Sequence, residues 1–472
     1  MKIHRLAVSV CLALVGLHLQ AQDGNSHLTR PNIIVILADD LGYGDLGGYF
    51  GGKAHTPHLN RLAEEGMLFT DFHSNGAMCS PTRAALLTGR YQQRLGIEDP
   101  LPGDWQEKGI GAIKGIAGDE LYSSPTMADY LRKAGYATAF FGKWHLGNHP
   151  SANPLHFGFD EFRGLTSGDG DYFTKLDRHG YSDWWHNKRL SFQEGYTTDV
   201  ITDNGIQFIK RHRTQPFFVY MAHLGVHFPW QSPEDGALET RIEGTDYTSS
   251  KPGPASKLGP HAPAEVPDAL VAMIEALDRN VGKLMAYLKT AGLNQNTLIF
   301  FTADNGQYLS YQGDTWPAVG SNGLLRGEKA DLYEGGHRVP SIAWWPGKIR
   351  AGSRSEATLA SFDLLPTFLD LTDQPLPDPK GADRLDGQSF LSVLLSGKVM
   401  PERTLFWRTP EAIAVRKGPW KLLEDRENGS LALYNLERDL SETSDLKQDY
   451  PQLVRELFQA RDAWEKEMDT KP

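Results

Sequence analysis

Asn32-Ile33-Ile34-Val35-Ile36-Leu37-Ala38 is an unbroken apolar run rich in β-branched residues, and it stops at the doublet Asp39-Asp40. A strand with one wet face alternates polar with apolar residues. A run without alternation predicts a strand covered on both faces, as in parallel sheets buried between helices. Three further runs of the same kind occur at residues 136–141, 216–222 and 297–302. Between them the apolar residues recur at helical spacing over 56–66, 126–135 and 268–288, with Leu59, Leu62 and Ala63 on one side of the first. Strands alternating with helices predict an α/β fold with a mostly parallel sheet sandwiched by helices.

The pattern changes near Leu376-Pro377-Asp378-Pro379-Lys380-Gly381. Short strand-like runs follow at 413–415, 420–423 and 433–436, then an amphipathic helix over 451–468. This predicts a large domain over 22–380 and a smaller C-terminal α+β subdomain over 381–472, a small antiparallel sheet plus a terminal helix. Residues 1–21 read differently. Lys2 and Arg5 precede a short apolar run and the small residue Ala21, the arrangement of a secretory signal peptide. The expected location is therefore periplasmic or extracellular, with no membrane anchor, since no later stretch approaches the roughly 20 apolar residues of a span. Loss of two cations with the signal would take the formal net charge from −11 to −13. So acidic a chain makes a poor nucleic-acid or anionic-lipid binder, and cations for an anionic substrate must be gathered locally.

Polar residues collect just after the predicted strands, where open α/β sheets build their sites. Asp39 and Asp40 follow one strand, Asp304 and Asn305 another. An all-oxygen set without histidine suits a hard cation such as Ca²⁺ or Mg²⁺ rather than zinc. Of the two cysteines, Cys11 falls in the signal, which leaves Cys79 alone in a secreted chain with no disulfide partner. Cys79-Ser80-Pro81-Thr82-Arg83 opens a predicted helix ending near Gly89, and Pro81 fits its first turn. A helix N-terminus beside Arg83 is electropositive and suits an anion. Lys143, His145, His223, His227 and Lys329 add cationic or titratable groups from further segments.

Cys-x-Pro-x-Arg in this setting resembles the type I, formylglycine-dependent sulfatases of the alkaline-phosphatase superfamily, the secreted bacterial carbohydrate sulfatases among them. The resemblance extends over the whole of 31–45, through Gly142-Lys143-Trp144-His145-Leu146-Gly147, His227-Phe228-Pro229 and Thr302-Ala303-Asp304-Asn305-Gly306, to Leu325-Arg326-Gly327-Glu328-Lys329. Thr82 stands where serine is commoner; the Cys, Pro and Arg of the motif are intact. The resemblance implies an alkaline-phosphatase-like fold and a sulfuric ester hydrolase. It implies that a formylglycine-generating maturation enzyme oxidises Cys79 to 3-oxoalanine, and that one Ca²⁺ is held by Asp39, Asp40, Asp304, Asn305 and residue 79. It further implies that Arg83, Lys143 and Lys329 face the charge on the transferring sulfate, that His227 protonates the leaving alcohol, and that His145 takes a proton when sulfate is released.

Substrate hints come from the insert between Gly164 and Tyr196, which carries Asp169, Asp171, Trp184 and Trp185, and from Trp230 after His227. Aromatic rings with carboxylates stack on sugars and bind their hydroxyls, and equally pack a long loop. His223 reads either as a substrate contact or as a structural residue. The expected partner is a sulfated oligosaccharide or polysaccharide, a glycosaminoglycan or an algal galactan. Two alternatives stand beside it: a phosphonate or phosphodiester hydrolase of the same superfamily, and a catalytically silent sulfoglycan-binding protein.

Overall fold

The computed structural model describes residues 30–101, 124–177, 181–236, 260–311, 316–317 and 319–469, so the expected signal peptide lies outside the described residues. Its frame is a ten-stranded sheet in the order Ser353–Ser355, Met67–Phe69, Ser341–Trp344, Thr297–Ala303, Asn32–Ala38, Phe217–Ala222, Ala137–Lys143, Glu161–Leu165, Trp185–His186 and Arg189–Leu190. The five strands from Thr297–Ala303 to Glu161–Leu165 run parallel. All seven residues of Asn32–Ala38 are buried, as the absence of alternation requires. In register, Val35 lies between Tyr220 and Phe300.

Helices cover both faces. Phe218 points to Phe368 of the helix Leu364–Leu371, at 6.4 Å between rings. Met221, three residues on and therefore on the opposite face, lies against Gly205 of the helix Thr197–His212. That second helix, with Val200, Ile201 and Phe208 buried, was not anticipated from sequence. Nor was the antiparallel strand Ser341–Trp344, whose four residues are too few for a period to be read. The long helix Val266–Thr290 buries Leu270, Met273, Leu277, Val281 and Leu284, one stripe at helical spacing.

The C-terminal part forms a four-stranded antiparallel sheet, Thr404–Arg408, Ala412–Lys417, Trp420–Asp425 and Ser430–Asn435, followed by the helix Pro451–Asp469. Three of these strands carry the runs read from sequence, the last run extending one residue past its strand; the first strand, with its alternating burial, was missed. Among the described residues no helix is long and apolar enough to cross a membrane.

Close strand packing beside the site demands glycine at 142. Its φ is +110°, and a Cβ there would lie 1.9 Å from the Ala222 carbonyl oxygen. Gly142→Ala is therefore expected to cost about 3 kcal/mol of unfolding free energy by overpacking. A denaturant midpoint equal to that of the wild type would refute the clash.

Candidate active site

Four of the five parallel strands deliver groups to one place at their C-terminal ends. Asp39 and Asp40 follow Asn32–Ala38, Lys143 ends Ala137–Lys143 with His145 two residues on, His223 and His227 follow Phe217–Ala222, and Asp304 and Asn305 follow Thr297–Ala303. The helix Cys79–Thr88 brings Cys79 and Arg83 to the same point, with all ten of its residues buried. Asp40 and His145 both take left-handed backbone conformations, φ 55° and 53°. Each costs of order 1 kcal/mol, so the surrounding structure holds them there.

Three buried carboxylates are interleaved with three buried cations. Arg83 donates from Nε and Nη2 to Asp304 Oδ2 (3.0 and 2.7 Å) and from Nη1 to the Lys143 carbonyl (2.7 Å). Lys143 Nζ donates to Asp39 Oδ2 at 2.5 Å. Lys329 Nζ reaches Asp40 Oδ1 at 2.6 Å and Cys79 Sγ at 3.3 Å. Burial, then the charge of Asp304, raises the Asp39 carboxyl against the pull of Lys143 and Arg83. Burial also works against ionisation of Asp304, but Arg83, Lys143 and Lys329 outweigh it and hold that carboxyl below its ordinary value. Burial pushes the Cys79 thiol well up, so the sulfur is a poor nucleophile as it stands.

Asp39, Asp40, Cys79 and Asp304 each present a ligand atom within 4.8 Å of the others. Asn305 Nδ2 donates to Asp40 Oδ1 (2.7 Å), which turns Asn305 Oδ1 the other way. Asn305 Oδ1 and Asp40 Oδ2 are both buried without a hydrogen-bond partner. Two orphaned oxygens among crowded carboxylates fit a hard divalent cation, and Cys79 Sγ and a ring nitrogen of His227 come within 4.8 Å of Asp40 beside them.

A cleft of about 330 Å³ opens onto this cluster. Cys79, His145, His227 and Lys329 line its floor; Leu101, Gly168, Asp169, Asp177, Tyr308 and Tyr311 stand on its walls. Arg83 and Lys143 do not line it. They are fully buried against Asp304 and Asp39, whose charge they balance. The histidines are oriented by backbone carbonyls. His145 Nε2 lies 3.0 Å from the Leu101 carbonyl, and an acceptor there fixes the proton on Nε2. His145 Nδ1 is thus an unpartnered lone pair. Burial, Lys143 and Arg83 hold its pKa well below the ordinary imidazole value, so His145 is neutral. His227 Nδ1 donates to the Phe228 carbonyl (2.6 Å), leaving Nε2 3.7 Å from Asp40 Oδ2.

Of the residues read as sugar contacts, Asp169 stands on the cleft wall, and Asp171, Trp184, Trp230 and His223 do not line the cleft. Asp171 caps the turn at Phe173 and Thr174 and accepts from Gln231 (2.9 Å). Trp184 is buried under the Lys175 ammonium, 5.9 Å from its ring. Trp230 packs edge-on against Tyr311, and His223 is buried beneath the sheet end. Large apolar rings in a long loop are drawn inward for their area, which sequence alone does not separate from sugar stacking. Tyr308 and Tyr311, which do line it, were missed; their one signal was position, just beyond Asp304-Asn305.

A family model described as Sulfatase matches residues 31–374. The N-acetylgalactosamine-6-sulfatase of Rattus norvegicus is 34% identical over 404 residues, covering 83% of this chain and 71% of its own. The N-acetylgalactosamine-6-O-sulfatase of Bacteroides thetaiotaomicron is 30% identical, covering 94% of this chain and 95% of its own. Among solved structures, Ps i-CgsB in complex with k-i-k-neocarrahexaose superimposes with a TM-score of 0.76 at 27% identity, covering 94% of each chain.

Burial lowers the pKa of His223 to about 3. The unfolded chain binds a proton there below about 6.5 and the folded chain does not, so stability present above pH 6.5 drains away as pH falls towards 3. Between pH 7 and pH 4.5 the wild type should lose about 3 kcal/mol more than His223→Gln. Parallel stability-against-pH curves for the two proteins would count against a neutral buried His223.

Proposed function

The chain belongs to the sulfatase family of sulfuric ester hydrolases, and from that premise we propose that it desulfates a galactose-configured sugar through residue 79. N-acetylgalactosamine 6-sulfate, as in a glycosaminoglycan, is the first candidate substrate, and a sulfated algal galactan the second. The names of the two relatives support the former, and the carrageenan oligosaccharide bound by a similar structure supports the latter. The observation that carries the reading is Cys79 at a helix start, 2% exposed, between an oxygen-rich cation site and a lysine, at the floor of a cleft.

Asp39, Asp40, Asp304 and Asn305, with an oxygen on residue 79, would hold Ca²⁺, whose charge would polarise a sulfate oxygen and make a hydroxyl on residue 79 more acidic. Oxidation of Cys79 to formylglycine by a maturation enzyme would supply, as the aldehyde hydrate, one hydroxyl to attack sulfur and a second through which sulfate is expelled. The chain's own residues do the rest. Lys329 Nζ, on the floor of the cleft, meets negative charge on the sulfate oxygens. Arg83 and Lys143 keep Asp304 and Asp39 in place and compensate their charge, so the carboxylates stay aimed at the cation site. His145 Nδ1, a lone pair on a neutral ring, accepts the proton of the second hydroxyl as sulfate leaves and the aldehyde re-forms. His227, as an imidazolium tethered through its Nδ1 proton, delivers its Nε2 proton to the leaving oxygen and is left neutral, a transfer that a sugar alkoxide needs and a nitrophenolate scarcely does. The walls, with Tyr308, Tyr311 and two carboxylates, supply a face and acceptors for a polyol ring. Export by the expected signal peptide would place the enzyme where extracellular polysaccharide fragments are found.

The test is co-expression with a maturation enzyme, mass measurement of the peptide bearing residue 79, and assay on sulfated sugars and on nitrophenyl sulfate. Conversion exchanges sulfur for oxygen with loss of two hydrogens, and Cys79→Ala should abolish turnover. His227→Ala should lower kcat roughly 10²–10⁴-fold on the sugar ester and far less on nitrophenyl sulfate. Equal losses on both substrates would remove His227 as the acid. Cleavage of phosphodiesters far faster than any sulfate ester would overturn the assigned substrate chemistry.

A further inference from the structure

A second cluster of buried charge lies behind the first, and none of its members lines the cleft. Asp71, His73, Glu334 and His337 come from the large domain; Arg416, Lys421 and Glu442 come from the C-terminal part. His73, Glu334 and His337 present ligand atoms within 4.8 Å of one another, a spacing that suits a metal. The cations already there argue against one. Lys421 Nζ lies 3.0 Å from Glu334 Oε1, 2.9 Å from Glu442 Oε1 and 3.3 Å from His337 Nε2. Arg416 forks onto Asp71 at 2.8 and 2.7 Å and approaches His73 Nε2 at 2.8 Å. An ammonium and a guanidinium occupy the place of a metal ion.

What this cluster grips is the short helix Glu334–His337. Lys421 holds Glu334 by its carboxylate, Glu442 Oε2 accepts from the Glu334 amide (2.7 Å), and the Trp407 ring stacks on His337 at 4.3 Å. That helix in turn touches the segments carrying the candidate site. The amide of Gly306, next to Asn305, donates to the Gly336 carbonyl at 2.9 Å. The Gly335 amide donates to the carbonyl of Arg326 at 2.7 Å, three residues before Lys329. Arg326 Nη1 closes the loop by donating to the Glu442 carbonyl, also at 2.7 Å. There is no slack at the junction: a Cβ on Gly306 would lie 1.7 Å from the Gly335 oxygen.

We propose that Lys421 and Glu442 are positioning residues for Lys329 and Asn305, so that an ion pair on the C-terminal subdomain sets the place of two groups in the active site. The inference rests on the reading of those two groups given above. It makes the C-terminal subdomain part of the catalytic apparatus although neither residue touches the cleft.

The test uses the full chain matured at residue 79, with Glu442→Gln and Lys421→Met each made in the wild type and in Lys329→Met. Thermal melting identifies the variants that fold; Glu442→Gln keeps size and hydrogen bonding, so it decides if Lys421→Met does not fold. The expected result is a loss of about 10-fold in kcat/KM on nitrophenyl sulfate in the wild type and under about 2-fold when Lys329→Met is already present. Calcium titration of the unmatured chain should show weaker binding in both variants, a readout independent of turnover. Coupling in the cycle upholds the role towards Lys329, and weakened calcium binding upholds the role towards Asn305. Equal losses in both backgrounds overturn the first, and unchanged calcium affinity overturns the second. A wild-type chain that cleaves no sulfate ester sinks the proposed function instead, and the calcium titration then decides the positioning role by itself.

Discussion

Three carboxylates cannot be buried within a few ångströms of one another without compensation, and the rest of the architecture answers that demand. Asp39, Asp40 and Asp304 are each 0–1% exposed. Born costs of that kind are several kcal/mol per charge even after relaxation. Arg83, Lys143 and Lys329 each take one or two of these carboxylates, and each arrives on a different segment. The parallel sheet exists in the form that lets those segments meet. Its strand ends lie side by side, so the carboxylates and Lys143, far apart in the chain, become neighbours there, and a buried helix and a loop bring Arg83 and Lys329 to them.

The same arrangement divides labour among the cations in a way the sequence did not disclose. Arg83, Lys143 and Lys329 look equivalent as letters, and the resemblance assigns all three to the sulfate. In the fold only Lys329 reaches the cleft, because Lys143 is the last residue of a central strand and Arg83 sits one turn inside a buried helix. Depth along the element, not residue type, decides which of the three cations reaches the cleft.

Much of the frame was legible beforehand. Unbroken runs identified the central parallel strands, since burial on both faces leaves an unmistakable pattern, and the doublets at 39–40 and 304–305 marked the strand ends that matter. Pieces without an internal period were not legible: the four-residue strand at 341–344, the edge strands, and the first strand of the C-terminal sheet. The helix at 197–212 was passed over because its buried face includes Thr197, Thr198, Thr202 and Asn204, which dilute the apolar signal. Trp184 and Trp230 show the limit for sites. A tryptophan in a loop reads alike whether it covers a sugar or plugs the protein, and here both are buried and neither lines the cleft.

Asp40 and Asp304 are 264 residues apart in the chain yet lie against each other just past the ends of neighbouring strands. A growing polypeptide must therefore complete more than half its synthesis before the strand Asn32–Ala38 acquires its second partner. Until Thr297–Ala303 emerges, that strand presents an unpaired edge whose six residues from Ile33 to Ala38 are all apolar, the kind of surface on which nascent chains join one another. The carboxylates at its end spend that interval without the opposing arm of their site. The order of the strands thus makes the last of the five central parallel strands to be synthesised both the second partner of Asn32–Ala38 and the piece that completes the carboxylate cluster, so a chain interrupted before residue 297 lacks both at once.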